Sequence, residues 1–241
     1  MIVLYVKILA YMSIKKIIAF GSAKGGVGKS SITAAVALSM AKKHSIGILD
    51  ADIYGPNQHL LFNIKEKLDL NNSQIEPINK KNIKIVSMGN IISPSEAAIW
   101  RGPMLSSSIK KIIQSTNWGN LDYLLIDMPP GTGDAYLTIF EQLNINHFIL
   151  VTLNNMLANA DTCKTISMLK KLKINILGYV LNNIFPIDYI DNKITKINGI
   201  EHISSFNFEE DIYNFDLDID RPIANELSEY CLVYTSPSPR D

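Results

Sequence analysis

Short apolar runs alternate with longer amphipathic stretches along this chain. Near-continuous runs of Ile, Leu and Val at 16–21, 46–50, 83–88, 123–127, 148–153 and 176–181 are bounded by Gly, Pro, Asn or charge. Runs of that length and composition predict strands buried on both faces. Between them, 29–43, 104–115, 135–143 and 158–172 carry apolar residues at helical spacing. In the last of these, Ala158, Thr162, Ile166, Leu169 and Leu172 fall on one face. Strand–helix alternation predicts an α/β fold, a mostly parallel sheet with helices on both faces. Residues 64–82 and 185–210 are rich in Asn, Lys and Asp, and are expected to be irregular surface excursions.

Composition narrows the picture. Of 241 residues, 47% are hydrophobic, and 23 basic side chains balance 23 acidic ones. That excludes a disordered chain and argues against a strongly basic nucleic-acid binder. Two cysteines, Cys163 and Cys231, exclude a disulfide scaffold. The opening residues 1–11 are apolar but far short of the ~20 needed to cross a bilayer, and their basic pair follows the run. Met12 begins what reads as a complete first strand. Residues 231–241 break the Ile/Asn/Lys bias and resemble translated adapter sequence. The expected domain is therefore 12–230, with 1–11 and 231–241 as non-native or extension segments. A cytoplasmic protein without stable membrane binding is expected.

The sharpest chemical signal is Gly21-Ser22-Ala23-Lys24-Gly25-Gly26-Val27-Gly28-Lys29-Ser30-Ser31, between an apolar run and an Ala-rich helix. This is the setting of a Walker A loop. Its glycines let backbone N–H groups turn toward phosphate oxygens, and the following helix presents free N–H groups. Gly25, Gly26, Val27, Gly28, Lys29, Ser30 and Ser31 are the expected nucleotide-binding residues. Lys29 supplies a cation to the β- and γ-phosphates, and Ser30 a hydroxyl to Mg²⁺.

Acids stand at strand ends. Asp50 and Asp52 close the second run, beside the crevice where such sheets bind ligands. Asp50 is expected near the Mg²⁺ shell, and Asp52 to orient or deprotonate the attacking water. Asp127 ends Leu124-Leu125-Ile126 in a Walker B pattern and is expected to hold a Mg²⁺-bound water. The loop Pro130-Gly131-Thr132-Gly133 is an expected γ-phosphate switch with Gly131 N–H as donor, and Asp134 reads equally well as the N-cap of the next helix.

These motifs carry a resemblance. KGGVGKS resembles the deviant Walker A of the nitrogenase iron protein, septum-site and partition ATPases, where the early lysine, here Lys24, acts across a dimer. SAKGGVGKS at 22–30, DADIYGP at 50–56, WRGPM at 100–104 and DMPPGTGD at 127–134 together resemble the Mrp/ApbC family of P-loop ATPases, described as iron–sulfur cluster carriers. The resemblance implies a P-loop fold, ATP and Mg²⁺, slow hydrolysis with Lys24, Lys29 and Asp52 as catalytic residues, and a homodimer passing clusters to apo-proteins. It also implies that Asn182, after a strand, contacts adenine. The family carries Cys-x-x-Cys shortly after that Asn; residues 183–195 contain no cysteine, so no cluster ligands are identified. Two other readings stand beside cluster carriage. One is a partition- or septum-site-type ATPase, for which Lys164, Lys170, Lys171 and Lys173 are a DNA-binding candidate. The other is a nucleotide-sensing scaffold.

Overall fold

The computed structural model describes residues 14–70, 73–92, 102–153, 156–182, 196–206 and 222–235. Its strands are β1 (Ile14–Ser22), β2 (Ile46–Asp50), β3 (Ile78–Lys80), β4 (Ile83–Ser87), β5 (Leu121–Pro130), β6 (His147–Thr152), β7 (Ile176–Asn182), β8 (Lys196–Ile197) and β9 (Ile200–Phe206). They lie in the order β3-β4-β2-β5-β1-β6-β7-β9-β8. Every pairing from β4 to β9 is parallel, and only the edge strands β3 and β8 run antiparallel.

Alternation along the strands builds two cores. Ile17 and Ala19 face one side with Leu49, Leu124 and Ile126. Ile18 and Phe20 face the other with Ile46, Ile48, Leu125 and Ile149. The first side is covered by α4 (Pro103–Ser115), α5 (Asp134–Gln142) and α6 (Met156–Lys171), through Ile109, Ile112, Tyr136, Ile139, Ile166 and Leu169. The second is covered by α1 (Lys29–Met40) and α7 (Pro222–Thr235). Two one-turn helices, α2 (Gln58–Leu61) and α3 (Met88–Ile91), finish the loops after β2 and β4. The expected α/β architecture with helices on both faces is the one observed.

Several expectations need correction. The irregular excursion at 185–210 contains β9, which pairs in parallel with β7 and buries Phe206. Its sequence, IEHISSF, has no apolar run, so only the pairing reveals it. Within 64–82 lies β3. The helix at 158–172 ends at Lys171, and Leu172 is 38% exposed. Asp134 is not the cap of α5: Gly133 holds that place, and Asp134 sits in the first turn, favourable to the helix dipole. The boundary expected after Tyr230 falls inside α7, where Cys231 is fully buried against the α1 side of the sheet and its thiol is pushed up to about 12 by burial.

Candidate nucleotide site

β1 and β5 end at the Ser22–Pro130 pairing and β2 stops earlier, at the Asp50–Asp127 pairing, and the sequence-predicted residues gather at this carboxyl end of the sheet. After β1 the chain turns through Gly26 and Gly28, both at positive φ (77° and 83°), and enters α1 at Lys29. Gly28 has a second reason to be glycine: a Cβ there would lie 2.1 Å from the Asn182 amide nitrogen. Gly21, just before the loop, is pressed against Phe148 and has no room for a side chain. Lys24, Gly25 and Gly26 are exposed, whereas Val27 and Lys29 are buried.

Register sets the acids side by side. Asp50 and Asp127 are partners across the β2–β5 ladder, and both are fully buried. Lys29 forms a buried ion pair with Asp127 Oδ1. The Gln58 amide donates to Asp127 Oδ2 at 2.8 Å and to the Ser30 carbonyl at 3.0 Å. Asp50 Oδ2 accepts from the backbone N–H groups of Asn57 and Gln58 and from the Ser87 hydroxyl. Ser87 in turn accepts from Gly89 N–H as the cap of α3, and lies 3.3 Å from His59 Nδ1. Asp52 Oδ1 accepts from the N–H groups of Tyr54 and Gly55.

The electrostatics are unbalanced. Burial, reinforced by the neighbouring Asp127 charge, pushes the Asp50 carboxyl up to about 7, against the pull of Ser87, Gln58 and Lys29. Burial likewise raises Asp52, opposed chiefly by Lys29. Three buried carboxylates share one buried lysine among the described residues.

Other expected site residues lie at the rim. Gly131, at φ 85°, donates its N–H to the Ser22 carbonyl at 2.9 Å, so the head of the expected switch is tied to the head of the P-loop. Asn182 donates to the Val27 carbonyl at 3.0 Å and braces the loop from the β7 side. Lys24 pairs with Asp161 of α6 at 2.8 Å, and Lys164 pairs with the same carboxylate. In the WRGPM segment, Trp100 and Arg101 lie outside the described residues. Gly102, at φ 51°, and Pro103 begin α4, leaving Met104 54% exposed.

Comparison with known proteins now bears on this site. A model of the ParA group described as a NUBPL iron-transfer P-loop NTPase matches residues 13–225. The chain belongs to that family. A Rickettsia conorii relative named iron-sulfur cluster carrier protein is 39% identical over 221 residues, covering 91% of this chain and 65% of that protein. The chain spans between 50% and 65% of the length of the curated relatives it matches. A nucleotide-binding protein from Archaeoglobus fulgidus, solved with ADP, is 30% identical with a TM-score of 0.65, covering 92% of this chain and 90% of that one. The cell division ATPase MinD of Pyrococcus furiosus shares the fold at a TM-score of 0.74 and 19% identity, covering 91% of this chain and 99% of that one.

For this NUBPL-family P-loop NTPase, the residues present fit a divalent cation beside the phosphates. Three buried carboxylates exceed what Lys29 neutralises, and Gln58 Oε1 is a buried acceptor without a partner. Ser30, Asp50 and Asp127 would be the residues to hold the ion or its waters, and the charge it brings would stabilise phosphoryl transfer. For an iron–sulfur cluster, the described residues offer no comparable set of thiolates. Among the described residues, no group of three or more His, Cys, Asp or Glu, the three buried acids included, is arranged to hold a metal through protein ligands alone, so a cation here would depend on phosphate, water and the Ser30 hydroxyl as well. Cys163 stands half-buried on α6, and Cys231 is enclosed in the core.

Sequence reading missed Gln58 and Asp161. Gln58 is fully buried between exposed Asn57 and half-buried His59, but a four-residue helix leaves no periodicity to find it by. Asp161 is one acid on an amphipathic helix, and only the approach of α6 to the P-loop gives it Lys24.

Proposed function

We propose that this protein is a Mg²⁺-dependent, slow ATPase that works as a homodimer and carries or assembles iron–sulfur clusters for apo-proteins in the cytoplasm. The observation that supports this most is the convergence of Lys29, Ser30, Asp50, Asp52 and Asp127 at one sheet edge, beneath a glycine loop whose mouth is open to solvent. In this reading Lys29 leaves Asp127 for the β- and γ-phosphates. That exchange frees Asp127 for the metal shell and makes nucleotide and metal binding cooperative. Asp52, anchored by two backbone N–H groups, orients water at the γ-phosphate. Lys24 reaches the partner subunit's nucleotide only after leaving Asp161. Catalysis here is positioning and charge neutralisation, so turnover stays slow until two subunits align. Asn182 braces the loop and also meets the adenine edge.

The cargo role rests on the family and on the name that relatives such as the Rickettsia protein carry. Among the described residues no helix is long and apolar enough to cross a membrane. Lys164 and Lys170, two of the four lysines offered for DNA, are engaged locally with Asp161 and the Asn198 carbonyl. Anaerobic reconstitution of the full chain with iron and sulfide, with and without ATP, tests the proposal. A cluster chromophore that transfers to an apo-ferredoxin supports it. Absence of both chromophore and any effect on transfer by a second carrier would leave an ATPase without this cargo.

A further inference from the structure

Gln58 bonds to both the P-loop, at the Ser30 carbonyl, and Asp127, and it belongs to none of the recognised motifs. Its side chain is fully buried. The orientation of its amide is forced, because the NH₂ group faces two pure acceptors, Asp127 Oδ2 and the Ser30 carbonyl. Turning the amide over would set oxygen against oxygen at both contacts. The oxygen therefore points the other way, and there it is buried with no hydrogen-bond partner. A buried acceptor left unmatched is costly, and this one stands between the P-loop and a buried acid, where a bound group would match it.

The surroundings define the chemistry that would fill it. The group must donate a hydrogen bond, and it must be welcome beside Asp50 and Asp127, where carboxylates outnumber buried cations. A water polarised by a divalent cation meets both demands: its protons are strong donors, and its ion supplies the missing positive charge. We infer that Gln58 is a positioning residue for the metal: its NH₂ group clamps Asp127 to the Ser30 backbone, and its Oε1 accepts from a water in the Mg²⁺ shell. Outer-shell partners of this kind typically set metal affinity by about 10–100-fold. The inference rests on the Mg·nucleotide reading above.

The test measures metal affinity, not turnover. Mn²⁺ binding to the ADP complex is followed by electron paramagnetic resonance, and ADP binding by fluorescence in EDTA and in Mg²⁺. Gln58→Met keeps length and apolar bulk but removes donor and acceptor. Gln58→Glu removes the NH₂ clamp but keeps an acceptor oxygen. Gln58→Met is expected to weaken Mn²⁺ about 10-fold or more, clearly more than it weakens ADP in EDTA, and Gln58→Glu, which keeps an acceptor oxygen, is expected to lose less Mn²⁺ affinity than Gln58→Met. Equal Mn²⁺ affinity in Gln58→Met and wild type overturns the inference. So does an equal loss of ADP affinity with and without metal, or equal impairment in both variants, since each marks a merely structural clamp. Should Gln58→Met fail to fold by circular dichroism, Gln58→Asn, with both groups one methylene short, carries the same comparison. A wild-type protein whose ADP binding ignores Mg²⁺ would instead remove the underlying Mg·nucleotide reading.

Discussion

Lysine–aspartate pairs stand at both ends of the same three strands, and the two ends behave oppositely. At the amino end, Lys15 of β1 meets Asp122 of β5 at 2.7 Å, and Asp122 also accepts from Ser45 just before β2. Lys15 and the Ser45 N–H hold the Asp122 carboxyl down to about 2. At the carboxyl end, Lys29 meets Asp127, yet Asp50 is pushed up to about 7. The residue types match; solvent does not. Lys15 is 76% exposed and Lys29 only 6%. Water keeps the first carboxylate charged at little cost, so its partners only stabilise it further. Burial at the second end makes each unneutralised carboxylate expensive. One end is electrostatically complete and structural. The other is left with more buried carboxylates than buried cations among the described residues.

The largest expected effect comes from breaking the buried end. Lys29→Ala should weaken nucleotide binding by about 100-fold, the value of a charge-assisted contact of about 3 kcal/mol. It should also lower thermal stability, because Asp127 loses its cation inside the fold. Calorimetric titration that still finds tight ATP binding would undo the site assignment. Lys24→Ala sharpens the contrast within the P-loop, where one lysine is buried and one exposed. Nucleotide affinity should hold, while turnover drops by about 10³-fold if Lys24 acts in trans as an arginine finger does. Steady-state hydrolysis at saturating ATP reads this directly, and unchanged turnover would reduce Lys24 to its surface contact with Asp161.

The remaining two predictions have opposite signs in pH. The folded Asp50 carboxyl lies above its ordinary value, so its contribution is fully present below pH ~4 and lost as pH rises toward about 7. In EDTA, Asp50→Asn should flatten that decline in melting temperature. A decline of the same slope in the variant would show that the burden sits elsewhere. The folded Asp122 carboxyl lies below its ordinary value, so its contribution is present above pH ~4 and lost as pH falls toward about 2. Asp122→Asn should remove only this small acid-limb effect, and added salt should mimic it, since the pair is exposed. Acid melts of variant and wild type that superimpose at low salt would deny the pair any role.

What could be read in advance follows from the range of the forces involved. The Walker A loop was legible because phosphate binding at a helix start is local chemistry, with every required residue inside one short segment. Asp50 was legible as an acid ending an apolar strand and Asp127 as an acid closing an apolar run, although β5 continues past it to Pro130. That they are ladder partners was not, because 77 residues separate β2 from the matching part of β5 and register is set by sheet assembly. β9 escaped notice for a similar reason: its mixed polar sequence becomes a strand only by completing the edge of β7. Cys231 read as tail material by composition, yet α7 continues through it into the core beside α1.

The sequence by itself determined the α/β alternation, the glycines that let the P-loop turn, and the placing of Lys29 and Ser30 at the start of a helix. These depend on backbone sterics and on side-chain chemistry over a few residues. Only the tertiary structure decided that Lys29 rests on Asp127, that Lys24 rests on Asp161, and that a glutamine outside every motif sits between P-loop and Walker B acid with one oxygen unmatched. Burial and register produce those facts, and neither can be summed from local sequence.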